Sequence, residues 1–150
     1  MNENKPDFLI DTNILVYAQD LTAEPHKRQT AKTFLAKQLF SPKVRISAQN
    51  LAEFYSVLTT KLSRQIPREQ ALEHLNTTME AFQNILSYSA STVQKAAQIN
   101  ARHQTPFWDS LLAATMLENN IHIIYTENTG DFKKIPHIKA INLFAKQQKK

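Results

Sequence analysis

The sequence predicts an α/β protein, a parallel sheet covered by helices. Three observations point there. Short apolar runs recur along the chain, among them FLI (8–10), VRI (44–46) and IHIIY (121–125). They are apolar on both faces, as strands buried between two helical layers are. Between them lie stretches with helical apolar spacing, and strands alternating with helices mark this class.

Each element has its own signal. FLI, with Asp7 at its edge, reads as a short buried strand, and NILVYAQD (13–20) as one or two helical turns. PHKRQTAKTFLAKQL (25–39) carries Ala31, Phe34, Leu35 and Leu39 at helical spacing, with Pro25 in its first turn. SPK is a turn and VRI a strand. Ser47 caps a helix through SAQNLAEFYSVLTTKL, whose apolar positions are Leu51, Phe54, Tyr55, Leu58 and Leu62. Pro67 opens the helix PREQALEHLNTTMEAF, and ILSYS (85–89) follows as a strand. STVQKAAQINARHQ is a helix with Val93, Ala96, Ala97 and Ala101 on its small-residue side. Thr105-Pro106 breaks it, because the residue before proline disfavours helical angles. FWDSLLAATMLENN is a further helix, IHIIY a strand, TENTGDFKKI a loop or short turn, and KAINLF a last strand.

Size and composition narrow the function. The 150 residues make one domain, 1–150, with a core at about 7–145 and a basic C-terminal tail, KQQKK, expected to fray. No apolar run approaches a membrane span, and MNENKPDF lacks the charged and apolar halves of a signal peptide, so a cytoplasmic protein is expected, with no membrane partner. The absence of cysteine excludes disulfides, thiolate zinc sites and cysteine nucleophiles. A single glycine, Gly130, excludes the glycine-rich phosphate loops. The net charge of +5 suits a polyanion such as nucleic acid, and equally suits ordinary solubility.

Four acidic positions stand out. Asp11 ends the first strand, where ligands of open parallel sheets bind; a helix cap would also explain it. Glu53 sits one turn into its helix, and Asp109 opens the apolar SLLAAT helix. For both, a first-turn acid favoured by the helix dipole is the bland account. TENTGDF offers Glu127, Asn128 and Asp131, with a solvated turn as its bland account. As a set they fall on one edge of an α/β sheet. Converging carboxylates without a cation repel, and one takes up a proton unless a metal compensates. Oxygen-only ligands suit Mg²⁺ or Mn²⁺, which can activate water for phosphodiester cleavage.

The motifs DTNILVYA, AEF, FWDSLLAA and YTENTGDF, in that order and spacing, resemble the PIN-domain family, more narrowly the VapC-like toxin ribonucleases of type II toxin–antitoxin pairs. The resemblance covers about residues 7–145. It implies a three-layer fold with a central parallel sheet of order 3-2-1-4-5. It implies a metal-dependent endoribonuclease that uses a metal-activated water and no covalent intermediate. Asp11, Glu53 and Asp109 match the three metal-binding acids, Asn13 matches a site-ordering amide, and Thr12 stands between. Many members carry a fourth acid where this chain has Asn128; either Asn128 serves as a neutral ligand or the loop shifts and Asp131 reaches in. The implied partners are an RNA substrate, a cognate VapB-like antitoxin and a second copy in a homodimer. Two other readings stand beside it: a non-catalytic PIN-like module that binds RNA or a partner, and a structure-specific DNA nuclease. Arg45, Lys61, Arg64, Arg102, Lys133 and Lys134 are candidates to hold a nucleic-acid backbone. Phe107 and Trp108 can stack on a base, but core packing is the expectation for both. No pair among the five histidines has zinc-ligand spacing.

Overall fold

The structure is a computed structural model that describes residues 4–145; the expected basic tail lies outside the described residues. The elements run β1 (Phe8–Ile10), α1 (Thr12–Gln19), α2 (Pro25–Gln38), β2 (Val44–Ser47), α3 (Ala48–Thr60), α4 (Arg68–Ala81) and β3 (Ile85–Leu86). They continue with α5 (Ala90–His103), α6 (Phe107–Glu118), β4 (Ile123–Tyr125), α7 (Thr129–Phe132) and β5 (Lys139–Ile141). The five strands form one sheet of order β3-β2-β1-β4-β5, with every neighbouring pair parallel. This is the α/β class and strand order expected.

Successive residues of a strand point to opposite faces, so the two-sided apolar runs feed two cores. Ile10, Val44 and Ile46 face α1, α2, α3 and α4, where Ile14, Leu15, Ala31, Phe54, Leu58 and Ala71 are buried. Leu9 and Ile124 face the other way, onto Leu112, Ala113 and Met116 of α6 and Phe132 of α7. α5 lies outside α6, joined through Ala96, Leu111 and Ala114. Among the described residues no helix is long and apolar enough to cross a membrane.

Several expected boundaries shift. ILSYS yields only the two residues of β3, because it is an edge strand beside a short β2, and Tyr88 already turns to solvent. IHIIY and KAINLF each contribute three strand residues, and the TENTGDF loop contains the one-turn α7. The inward face of α5 is also corrected. Thr92 and Ala96 are buried, whereas Val93, Ala97 and Ala101 are exposed. The Thr92 hydroxyl explains the rotation: it accepts from Ser89 N–H and donates to Glu118 Oε2 at 2.7 Å, so a polar residue is buried without loss of hydrogen bonds. Leu39, expected on the apolar side of α2, lies past the helix end and is exposed.

Candidate active site

Ligands of an open parallel sheet bind beyond the carboxyl ends of its strands. Here β2, β1 and β4 lie side by side, so the residues just past their carboxyl ends meet at one edge. Asp11 comes directly after β1 and is the N-cap of α1, with Oδ1 accepting from Thr12 N–H at 2.8 Å. The cap therefore accounts for one carboxylate oxygen. The other, Oδ2, accepts the hydroxyl of Thr126, the residue after β4, at 2.7 Å. Asn13 donates its amide to Asp11 Oδ2 at 3.4 Å and to Thr126 Oγ1 at 3.2 Å. Asn13 Oδ1 in turn accepts the Glu127 N–H, which ties α1 to the loop after β4.

Ser47 ends β2 and forms a capping box with Asn50: the Asn50 N–H donates to Ser47 Oγ, and the Ser47 N–H to Asn50 Oδ1. This local device leaves the Asn50 Nδ2 free to donate to Thr12 Oγ1 at 3.1 Å and, more weakly, to Asp11 Oδ1 at 3.4 Å. Thr12 then donates its hydroxyl to Glu53 Oε2 at 2.9 Å. Glu53 is thus linked to Asp11 through the Thr12 hydroxyl and the Asn50 amide. Asp109, in the first turn of α6, accepts from Asn128 Nδ2 at 2.9 Å, and the negative charge of Asp131 acts on it. Asp11, Thr12, Asn13, Glu53, Asp109 and Asn128 line a cavity of about 400 Å³.

The electrostatics arise from burial and like charge. Burial raises the Asp11 carboxyl to about 6, opposed by the hydrogen bonds from Thr126 and Thr12 and assisted by the Glu53 charge. Burial and the charges of Asp11 and Asp131 raise Asp109 to about 7. Among the described residues no Lys or Arg forms an ion pair with Asp11, Glu53, Asp109 or Asp131. Nor do three acidic or histidine side chains close into a complete metal cage there. The donor set still fits a hard divalent cation. Mg²⁺ keeps several of its waters and takes one or two protein carboxylates rather than a full cage. Asp11 and Asp109 are such a pair, all-oxygen and short of positive charge.

Other expected residues lie elsewhere. Glu127 turns away from the carboxylates to Tyr17 Oη at 2.7 Å and Lys27 Nζ at 2.6 Å. Partial burial works against its charged form, but these two contacts outweigh it and hold the carboxyl below its usual value. Arg45 is held by Asp7 at 2.8 Å, ahead of β1 at the opposite end of the strands. Arg64 lines a separate cavity with Gln19, Arg28 and His74. Lys61 lines a cavity that shares Glu53 with the site. Trp108 is a correction: it is 61 % exposed rather than packed in the core, while Phe107 is half-buried against α5 and α6. The reason is its position in the first turn of α6, on the side that faces solvent beside Gln49.

Thr126, Asn50 and Gln49 are the residues the sequence reasoning missed. Thr126 had a signal, since it succeeds an apolar strand as Asp11 does. Asn50 had one in its spacing from Ser47. Gln49 had none.

A sequence description of the PIN domain matches residues 8–138. No curated protein is close enough in sequence to match. Among solved structures, the chain is similar to FitAcB from Neisseria gonorrhoeae, at 20 % identity and a TM-score of 0.68, over 91 % of this chain and 97 % of that one. It is similar to VapBC2 from Rickettsia felis bound to a promoter DNA fragment, at 21 % identity and 0.66, over 90 % and 97 %. It is also similar to VapC20 from Mycobacterium tuberculosis, described as a sarcin-ricin loop cleaving toxin, at 18 % identity and 0.66, over 83 % and 92 %. At these identities the likeness is one of fold.

Proposed function

The chain belongs to the PIN domain family, and from that premise we propose that it is a metal-dependent endoribonuclease, the toxin of a type II toxin–antitoxin pair. One observation carries the reading. Asp11 and Asp109 converge with carboxyl pKa values raised to about 6 and about 7 and, among the described residues, no basic partner, at the edge where an α/β sheet binds its ligand. Carboxylates held this way gain from a divalent cation and lose by its removal. Asp11 and Asp109 would hold Mg²⁺ or Mn²⁺, with Asp131 and Glu53 contributing charge around it. Such an ion supplies Lewis acidity toward water and charge neutralisation at the leaving oxygen.

The chain's own residues do the positioning. Thr126, Asn13, Asn50 and the Thr12 N–H fix both oxygens of Asp11. Asn128 fixes one oxygen of Asp109. Glu53, tethered by Thr12, orients the attacking water and can take its proton. Water attacks phosphorus and gives its proton to Glu53, and the P–O bond to the ribose oxygen breaks as that oxygen takes a proton from solvent, so the products form without a covalent enzyme intermediate.

A VapB-like antitoxin and a second copy of the chain are the partners we infer. The antitoxin is suggested by a structural neighbour described as a toxin–antitoxin complex, from Klebsiella pneumoniae. Phe40, Leu72 and Met79 stand exposed and offer apolar surface that an association covers.

The test is incubation of the full chain with a labelled RNA pool in Mg²⁺, Mn²⁺ or EDTA, beside Asp11→Asn. Metal-dependent cleavage that the variant loses is the expected result. RNA binding without cleavage in any metal would overturn the enzyme in favour of a binding module. Cleavage confined to DNA would replace the substrate class.

A further inference from the structure

A second cavity, of about 620 Å³, adjoins the carboxylates and shares Glu53 and Val57 with their cleft. Its lining includes Trp108 and Tyr88, two aromatic side chains left 61 % and 42 % exposed, with Lys61 and Gln49. Exposed aromatic faces beside a cation are what single-stranded nucleic acid uses: bases stack on the rings and a phosphate meets the charge. Trp108 is held in place, with the Phe107 ring edge-on at 5.4 Å and the Gln49 Nε2 donating to its carbonyl at 2.9 Å. Lys61 makes no ion pair among the described residues.

Gln49 supplies the independent observation. The residue is only 7 % exposed, and its Oε1 is buried with no protein partner. The amide cannot be turned over to cure this, because both groups facing Nε2, the Trp108 carbonyl and Glu53 Oε1, are acceptors. A buried acceptor without a donor is costly, and in native proteins such groups are rare enough to need a reason.

We propose that this cavity is a nucleobase subsite. It takes an unpaired base of the RNA next to the scissile phosphate, stacked on Trp108 and Tyr88, and a turn of the Gln49 side chain uncovers its unpartnered Oε1 to accept from an exocyclic amino group. The inference rests on the nuclease reading of the adjoining carboxylates. It favours adenine, cytosine and guanine, whose exocyclic amino groups are donors, over uracil, which has no exocyclic amino group.

Trp108 is the chain's single tryptophan, so its emission reports this position alone. The experiment titrates the full chain, in EDTA so that nothing is cut, with single-stranded oligoadenylate, oligocytidylate and oligouridylate. Saturable quenching is expected, with adenylate and cytidylate bound about fivefold more tightly than uridylate. Gln49→Met should erase that preference; if this variant does not fold, the wild-type ranking alone decides. Trp108→Ala, followed by anisotropy of a labelled strand, should weaken binding about tenfold, and Trp108→Phe should restore most of it. Saturable binding with unchanged tryptophan emission would overturn the subsite. Equal affinities for the three strands would overturn the role of Gln49. Quenching by RNA that the protein never cleaves in Mg²⁺ would sink the nuclease reading and leave the subsite standing. Cleavage without any tryptophan response would do the reverse.

Discussion

Asp11 caps a helix and faces the cleft, and its burial as a carboxylate has a consequence for stability. Its folded value, about 6, lies above the unfolded value of 3.8. A raised value means that the folded state binds a proton where the unfolded state does not. The stability this confers is full below about pH 4 and is lost as pH rises through 6. The loss is on the order of 3 kcal/mol. Asp109 extends the window to about 7. Thermal midpoints in EDTA should therefore fall between about pH 4 and 7, and a divalent ion should restore them at the upper end. Asp11→Asn should make the fall smaller, leaving the part due to Asp109, while abolishing cleavage. A flat wild-type profile would mean that Asp11 is not strained in the cleft. Asp131→Ala should weaken Mn²⁺ binding in calorimetry and slow cleavage, because its charge is directed at Asp109. Asn128→Ala should slow cleavage with a smaller effect on Mn²⁺, because it orients Asp109 without adding charge. If neither substitution changes either readout, the loop contributes nothing to the site.

Helix ends set the site more than helix interiors do. The Asp11 cap and the Ser47–Asn50 capping box each close a helix start and, with their remaining atoms, build the cleft. The other end of α5 offers a check on the same physics. Gln104 closes it in the left-handed region, at φ 54° and ψ 40°, where a Cβ is unfavourable. The side chain is exposed. Gln104→Gly should stabilise the protein by about 0.5–1 kcal/mol and raise the thermal midpoint by about 2 °C. A lower midpoint would show that the gain in unfolded-chain freedom outweighs the relief of strain. Gln104 sits just before the Thr105-Pro106 break that the sequence marks. The proline was legible as the end of one helix and the start of the next; the left-handed glutamine was not.

At the scale of the molecule, the charge of +5 is a statement about encounter rather than fold. Each phosphate contact to a single strand contributes about −0.7 to the slope of log affinity against log salt. Lys61, beside the second cavity, should be one such contact, so Lys61→Ala should make the slope shallower by about that amount. Arg45→Ala should leave the slope unchanged, because Arg45 is committed to Asp7 at the far end of the strands. A shallower slope for Arg45→Ala, with none for Lys61→Ala, would reverse the placement of the RNA path. The basic residues looked alike in sequence. Only the strand directions separate those near the cleft from those bound elsewhere.

Much of the architecture was local information. Two-sided apolar runs dictate buried parallel strands, proline and serine mark helix starts, and acids at strand ends mark the binding edge. These depend on neighbours in the chain, so the sequence determined the α/β class, the order of elements and the candidates Asp11, Glu53 and Asp109. The tertiary structure decided what depends on distance across the sheet. It alone brings Thr126 to Asp11 and Asn50 to Thr12, draws Asp131 to Asp109, and turns Glu127 away to Lys27. It also decided that Thr92 turns inward and Trp108 outward, against their apparent polarity. The physical reason is the same in each case. Burial and hydrogen-bond satisfaction belong to pairs of residues far apart in sequence, and no pattern along the chain records which partner will be there.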